Sequence, residues 1–385
     1  MSRRPLLVVA AASGLVALGL GTLAVVGAAA PETATTGSDG WVGWTGRVDQ
    51  ASLDDRAAMT PDDDAAVALL ARAARASSAL AWSGRAVTQD NTGRTTTDLV
   101  HLPGRGTLAR AAGAPASSAT FAPDGGSRSF GDDGRPLDLL RVNYRVLRDA
   151  ELDSPVAGRP ADVVVAVDAD GVTRARYWID DRTGLLLRKE LLDPAGAVWS
   201  RTALDTVRYG ASTAVAIPST AANPWSDVVP FAALGKARQA GCPCPESLPG
   251  ALTLLDTRRA PAGSVAPTAV THQLFSDGLV SVSLFSLDAP LSEPDKAGLV
   301  ARGFTDTDLD GRWAYVRLSK DDAANATVVW QSGDSVLTLV TDGTEDPLTT
   351  AAAVVAAFPP SPEDADNSLV ARVQRGWARI FGGRS

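Results

Sequence analysis

The sequence predicts an α+β protein in which a long, curved antiparallel sheet carries a helix on its apolar side and is linked to a smaller α+β domain. Three observations support this prediction: short apolar segments of period two, turns that begin with Asp and end with Gly, and a helix that follows a series of strands. Of the 385 residues, 45% are apolar and 21% are charged, as in ordinary globular proteins. This length is typical of about two or three domains.

The first folded element is predicted to be a helix of about residues 60–78. Thr60 and Pro61 precede three consecutive Asp residues, and acidic side chains in a first turn favour a helix start because they face the positive end of its dipole. From Leu80 the pattern changes to short extended segments that turn residues interrupt, which indicates strands. These segments are LAWSGRAVTQ, TTTDLVHL, GTLARA and SATFA.

The clearest strand signal lies between Tyr144 and Tyr209. Four apolar-rich segments, ADVVVAVD, VTRARYWID, LLLRKELLD and AVWSRTALDTVRY, are separated by turns that start at Asp168, Asp180 and Asp193. Turns this short join antiparallel neighbours, because a parallel crossover needs a helix between its strands. The segments therefore predict a β-meander.

Residues 211–250 are predicted to be a linker, because six prolines interrupt them, with one helix expected from Asp227 to Gln239. A second domain is expected over residues 251–360, with a closing helix from about Leu348 to Phe358. Its strands are predicted at 252–257, 270–275, 279–287, 313–318, 327–330 and 336–340. The tail 361–385 predicts a basic amphipathic helix, either packed on the body or lying on a membrane surface or partner.

The amino terminus indicates export. In residues 1–30, two arginines precede an uncharged apolar run, and acidic residues follow it, which places the body outside the cytoplasmic membrane. The run is long enough to span a bilayer as one helix, yet the small residues at its end also fit signal-peptidase cleavage. We expect a single-pass anchor in the cell membrane with a flexible tether over residues 31–59. A secreted or periplasmic body after signal cleavage is the alternative.

Composition and motifs argue against most enzyme classes and against nucleic acid as a partner. The chain has 36 basic and 44 acidic residues and a net charge of −8, which disfavours nucleic-acid binding. Two Cys and two His are too few for a multi-ligand metal or haem site. The sequence contains no G-x-S-x-G segment, and His101 and His272 are expected to be ordinary polar positions on strands. We therefore assign no catalytic, cofactor-binding or metal-ligating residue and expect no cofactor.

Cys242 and Cys244 are separated by a single proline. Outside the cytoplasm thiols tend to oxidise, and we expect a small-loop disulfide between these two residues. A reactive or redox-sensing thiol pair and inert thiols are the alternatives.

Three segments of the exported part form a pattern that extends over about residues 62–350. They are LAWSGRAV at 80–87, AGRPADVVVAVDADGVTRARYWIDDRTGLLLRKELLDPAGAV at 157–198, and HQLFSDGLVSVSLF at 272–285. In this order they resemble the MucB/RseB family of sigma-factor regulators. The middle segment matches the family's Trp-containing strand, TG turn and Leu-rich strand, and the last segment matches its SDGL strand pair.

This resemblance implies a LolA-like half-barrel with a helix lid over residues 60–210 and an RseB-like carboxy-terminal domain after the linker. It also implies a regulator that binds the extracytoplasmic segment of a membrane anti-sigma factor, modulates its regulated proteolysis in envelope stress and responds to a lipid or amphiphile. An extracytoplasmic lipid or lipoprotein carrier is the alternative function. The retained anchor, the Cys-Pro-Cys segment and the basic tail depart from the family pattern, and the oligomeric state is left open.

A curved sheet under a covering helix forms a concave apolar pocket that suits an acyl chain or an apolar peptide. The same apolar side chains also suit an ordinary core, so we expect most of them to contact only protein. The residues predicted to line this pocket are Trp82, Val163, Val165, Tyr177, Ile179, Leu185 and Leu187.

Overall fold

A computed structural model describes most of the chain between residues 63 and 360. The described residues are 63–90, 93–115, 119–123, 135–152, 155–210, 227–229, 233–235, 243–264, 266–318, 326–342 and 346–360. The predicted anchor, the tether, Cys242 and the basic tail lie outside them. No helix within the described ranges is long and apolar enough to cross a membrane.

The amino-terminal half forms a nine-stranded antiparallel sheet with two helices. The elements are α1 (Asp64–Ala79), β1 (Trp82–Asp90), β2 (Arg94–Leu102), β3 (Gly106–Ala111), β4 (Thr120–Pro123), α2 (Arg135–Asn143), β5 (Arg145–Arg148), β6 (Ala161–Val167), β7 (Thr173–Asp180), β8 (Leu186–Leu192) and β9 (Val198–Tyr209). The sheet order is β4-β3-β2-β1-β9-β8-β7-β6-β5, so the strand after the first helix pairs with the last strand of the predicted meander.

Helix α1 forms where the sequence predicts it, because Asp63 caps its start and one face is apolar. The Asp63 carboxylate accepts a hydrogen bond from the Ala65 N–H at 2.8 Å, which satisfies one of the free donors of the first turn. Ala66, Leu70 and Ala73 are buried on one side of the helix, at the spacing of three to four residues that defines a face. This face packs on the sheet.

Helix α2 and strand β5 are absent from the sequence prediction. The strand pairs with β6, where Arg145 lies opposite Val167, and extends the sheet by one strand beyond the meander. The helix has nine residues and places Leu137 and Leu140 on its buried side. A helix this short gives little periodic signal in the sequence.

The carboxy-terminal half forms a second antiparallel sheet of nine strands. The elements are β10 (Asp227–Val228), β11 (Ser247–Leu248), β12 (Leu252–Ala260), β13 (Val270–Ser276), β14 (Ser281–Leu287), α3 (Glu293–Ala301), β15 (Thr305–Leu309), β16 (Arg312–Leu318), β17 (Ala326–Ser332), β18 (Ser335–Asp342) and α4 (Pro347–Ala356). The main order of the sheet is β10-β12-β13-β14-β18-β17-β16-β15, and β11 pairs with β12. The molecule is therefore an α+β protein with two antiparallel sheets.

The predicted helix from Asp227 to Gln239 is wrong at its start. Asp227 and Val228 form a short strand that pairs with Arg259 and Arg258 of β12, and this pairing satisfies their backbone groups as an extra edge of the second sheet. Strand β11 also comes from the segment predicted to be a linker. Part of residues 211–250 thus contributes strands to the second sheet.

The second sheet buries an apolar cluster on each of its faces, and a helix covers each one. Trp330 and Phe358 pack edge to face, with ring centroids 5.8 Å apart, in the cluster that takes Val354 from α4. Leu299 of α3 and Phe285 of β14 lie in the other cluster. Helix α3 and strand β15 are further elements that the sequence prediction lacks.

Candidate functional site on the first sheet

One face of the first sheet is apolar and lies under α1 and α2. Along β7, Ala175, Tyr177 and Ile179 are buried toward the helices, whereas Arg176 and Trp178 alternate with them and belong to the opposite face. We call the buried residues under the helices the helix-covered cluster. Its members are Ala66, Leu70, Ala73, Ala74, Leu137, Leu140, Val146, Val164, Ala166, Ala175, Tyr177, Ile179, Leu186, Leu191 and Leu279.

A second apolar cluster of the same sheet contains two buried tryptophans. Trp82 begins β1 and Trp178 lies near the end of β7, and their side chains are 7% and 3% exposed. We call this group the tryptophan cluster. Its buried members are Trp82, Ala86, Leu99, Ala109, Val156, Ala161, Val163, Trp178, Leu185, Leu187 and Leu204.

The structure divides the seven predicted pocket residues between these two clusters. Tyr177 and Ile179 lie in the helix-covered cluster, while Val165 is buried but belongs to neither. The other four lie in the tryptophan cluster, namely Trp82, Val163, Leu185 and Leu187. All seven are buried, yet the structure does not bring them together into one lining.

The cause of this division is that β6 to β8 carry buried apolar side chains on both faces. Val163 pairs with Trp178, and the next pair, Val164 with Tyr177, points to the other face. In β7 the alternation of arginines with apolar residues predicts one charged face and one apolar face, whereas the weaker alternation over residues 185–192 indicates that both faces of β8 are partly covered. In the sequence, however, the apolar triplet YWI around Trp178 indicates that both faces of this strand are covered, because consecutive side chains of a strand point to opposite faces.

The turn from β7 to β8 is organised by Asp180, whose side chain is fully buried. Its carboxylate accepts hydrogen bonds from the Arg159 guanidinium, from the Tyr209 hydroxyl at 3.0 Å and from the backbone N–H groups of Arg182 and Thr183 at 2.9 Å each. Burial alone would raise the pKa of Asp180, but these hydrogen bonds, led by that of Arg159, outweigh burial and lower its pKa to about 2. The charged carboxylate therefore joins β9, the segment before β6 and the turn.

The same turn anchors helix α1. The Arg72 guanidinium donates a hydrogen bond to the carbonyl oxygen of Asp181 at 2.8 Å. Gly184 adopts a left-handed conformation with φ of +79°, and a Cβ there would approach the Arg72 side chain to 2.8 Å. The TG turn of the family pattern thus positions the covering helix.

Three arginines converge on one buried carboxylate on the face of the sheet opposite α1. Glu190 is 1% exposed and pairs with Arg188 and with Arg201, whose Nε lies 2.7 Å from its Oε1. Arg176 completes the group at 3.7 Å. The Arg188 guanidinium also lies over the Trp178 ring, 4.1 Å from its centre, and shields that side of the tryptophan cluster.

Both histidines lie on strands, as predicted. His101 of β2 packs against Trp82, and its Nδ1 is 3.0 Å from the Thr107 hydroxyl. His272 of β13 is stacked on Phe285 at 4.4 Å, and burial lowers its pKa to about 4. Within the described ranges, no group of three His, Cys, Asp or Glu side chains could hold a metal ion.

Cys244 is disulfide-bonded and 1% exposed, and it lies in the apolar cluster of the second sheet that α4 covers. Its predicted pairing with Cys242 stays a prediction, because Cys242 is outside the described residues.

Two antiparallel sheets, each flanked by helices, define the class as an α+β protein with a helix-covered apolar sheet. Residues 122–224, which include α2 and β5 to β9, match the family model of the MucB/RseB N-terminal domain. This match confirms the resemblance to the MucB/RseB family that the sequence predicts.

Several solved structures are similar to this chain. A crystal structure of MucB has 20% identity and a TM-score of 0.44 and covers 78% of this chain and 100% of its own. The complex of Pseudomonas aeruginosa MucA and MucB has 21% identity, a TM-score of 0.43 and coverages of 77% and 99%. A LolA superfamily protein from Nitrosomonas europaea has 8% identity, a TM-score of 0.19 and coverages of 37% and 91%. A comparison with curated protein sequences gives no match.

Proposed function

We propose that this chain is an extracytoplasmic regulator that binds the extracytoplasmic segment of a membrane anti-sigma factor and modulates its regulated proteolysis. The observation that carries this proposal is the match of residues 122–224 to the MucB/RseB N-terminal domain. MucB has been solved in complex with MucA, and we extend that kind of partner to this chain through the family match.

The finer features of the proposal concern the first sheet and the termini. The first sheet acts as a LolA-like half-barrel, with α1 as its lid, and its helix-covered cluster responds to an apolar peptide or a lipid chain. The body lies outside the cell membrane on a retained anchor, and the domains follow the boundaries at residues 60–210 and 251–360. A disulfide joins Cys242 to Cys244 in this oxidising compartment.

The test has two stages, and both are carried out in the source cell. First, crosslinking and capture of the tagged chain should retain a single-pass membrane protein with a cytoplasmic sigma-binding domain. Second, deletion of the chain should change the half-life of that protein in a pulse-chase measurement, because a bound regulator controls access of the protease. An unchanged half-life would refute the proposal.

A lipid or lipoprotein carrier is the second candidate function, and the apolar cluster under α1 favours it. A carrier must leave the membrane, so the amino-terminal residue of the exported protein separates the two functions. A start near Ala30 favours a soluble carrier, whereas retention of Ser2 excludes one. Lipid that copurifies in the absence of a specific protein would also support the carrier.

A further inference from the structure

The turn between β13 and β14 is held in a fixed shape by its own side chains. The Asp277 carboxylate accepts hydrogen bonds from the backbone N–H groups of Leu279 and Val280, at 2.8 and 2.9 Å. The Ser276 hydroxyl donates to the carbonyl oxygen of Val280 at 2.6 Å and accepts from the N–H of Gly278 at 2.9 Å. The SDGL segment of the family pattern is therefore a preformed acidic turn.

This turn of the second sheet docks on the amino-terminal half through three polar contacts, made by the last residue of α2, by Tyr144 after it and by Lys189 of β8. The Tyr144 hydroxyl donates to the second carboxylate oxygen of Asp277 at 2.7 Å, and the Asn143 amide donates to the Asp277 carbonyl oxygen at 2.7 Å. The Lys189 ammonium group donates to the carbonyl oxygen of Leu279 at 3.0 Å. All three hydrogen bonds therefore run from donor groups of the amino-terminal half to acceptor oxygens of the turn. The contact buries Asp277, which is 8% exposed.

The turn also fills an apolar position and permits no side chain at its tip. Leu279 is 4% exposed and belongs to the helix-covered cluster. Gly278 has a φ of +102°, and a Cβ there would lie 2.5 Å from both the Cα and the N of Leu140 in α2. The backbones approach so closely that only glycine fits.

One donor of the docking surface is unused. The Tyr177 hydroxyl is buried in the helix-covered cluster and has no hydrogen-bond partner within the described part of the chain. Tyr177 shares the helix-covered cluster with Leu279 of the turn. Burial raises the pKa of the Tyr177 hydroxyl, and so does the negative charge of Asp277. A buried hydroxyl without a partner is costly, so this surface offers one more hydrogen bond than the turn accepts.

We infer that the surface formed by α2, Tyr144, Tyr177 and Lys189 is a recognition site for an acidic turn followed by an apolar residue, and that the chain's own 276–281 turn fills it as a releasable latch. When the latch is closed, Leu279 completes the helix-covered cluster. When it opens, the vacated site accepts a peptide segment with the same acidic and apolar groups. This inference adds to the proposed function the chemistry of the partner segment. It rests on the proposed function only for the identity of the protein that supplies this segment.

Release requires that water replace the polar contacts of the turn. Those contacts are the three hydrogen bonds described above, while the apolar contacts are the packing of Leu279 and the half-buried Val280 in the helix-covered cluster and the approach of Gly278 to Leu140. Contacts of this kind between sheets or domains allow relative motion.

The first experiment tests the latch by hydrogen exchange of the full-length chain, measured by mass spectrometry. Asp277→Asn and the milder Tyr144→Phe should each accelerate exchange of residues 135–144 and 276–281 by about tenfold, as expected for the loss of one hydrogen bond to a charged group. The double variant should exchange no faster than the faster single variant.

The control is Asp193→Asn, because Asp193 also stabilises a turn, through the Ala197 N–H at 2.8 Å, and should affect only its own turn. Unchanged exchange at residues 135–144 in both single variants would overturn the latch, and so would additive effects in the double variant.

The second experiment tests the recognition site with the acetylated, amidated peptide Ser-Asp-Gly-Leu-Val. Gly278→Val should expel the turn, since its side chain would collide with the backbone of Leu140. The peptide should then bind this variant in an NMR titration, bind wild type at least tenfold more weakly, and lose binding when its Asp is replaced by Asn. Equal binding to wild type and variant, or binding to neither, would contradict the recognition site. Neither experiment uses the anti-sigma factor, so they can succeed when the half-life test fails.

Discussion

Replacement of Asp180 by Asn should destabilise the end of the first sheet where β7, β9 and the segment before β6 meet. Asn keeps an acceptor oxygen for the backbone N–H groups of the turn but loses the negative charge that faces Arg159. A carboxyl group whose pKa falls from 3.8 to about 2 contributes about 2.5 kcal/mol at neutral pH. Because 20% of the Arg159 side chain is exposed and water partly replaces the lost partner, we expect a loss of about 2 kcal/mol.

The effect of Asp180→Asn on the free energy of unfolding should depend on pH. The pKa of Asp180 is lowered in the folded state, so its stabilising contribution is present above about pH 4 and is lost as the pH falls toward about 2. Urea unfolding of the full-length chain, followed by circular dichroism, should therefore separate wild type from Asp180→Asn at pH 7 and bring them together at about pH 2.

The matched control is Asp162→Asn. Asp162 also pairs with an arginine, but Arg148 is 49% exposed, and such surface pairs contribute at most about 1 kcal/mol. If Asp180→Asn destabilises the protein no more than this control at pH 7, or if its effect persists at pH 2, the assignment of Asp180 as a buried organising charge is wrong.

Three further predictions concern single positions. Gly184→Ala should destabilise the chain by about 1 kcal/mol more than Gly171→Ala, measured by urea unfolding, because both glycines have φ near +80° but only the first approaches Arg72. Stability should fall as the pH drops from about 6.5 to about 4, because burial keeps His272 neutral in the folded state, and His272→Gln should abolish this part of the pH profile. Glu190→Gln should lower the unfolding free energy by about 3 kcal/mol, because three arginines lose a shared buried anion, and an unchanged urea midpoint would contradict this account.

Local turn chemistry made the meander predictable from the sequence. The turns at Asp168 and Asp193 repeat one arrangement, in which the Asp side chain accepts a hydrogen bond from a backbone N–H two to four residues later. Such turns fix where strands start and end, and the strands between them follow within one residue of the predicted limits. Helix α3 had a comparable local signal that the prediction did not use, since Ser292 and Asp295 form a capping box around Pro294.

The arrangement of the candidate site could not be read in the same way, because it depends on contacts between distant segments. Two apolar faces on β6 to β8 look alike in the sequence, and a bulge between Trp178 and Ile179 shifts the register that would otherwise assign Leu187 to a face. The pairing of β1 with β9 joins residues more than a hundred positions apart. Periodicity carries no information about which segments meet at such distances.

The two turns that carried much of the family resemblance also position the helices of the first sheet. The TG turn receives Arg72 of α1, and the SDGL turn receives Asn143 of α2 and seats Gly278 against Leu140. A turn that only reversed the chain would accept many sequences with the same backbone angles. Where a helix backbone or a partly buried arginine packs on the turn, the residue types are restricted further, because a side chain must be absent at one position and a carboxylate present at another. Substitutions in these two turns should therefore alter how the helices and the two sheets pack before they alter the strands themselves.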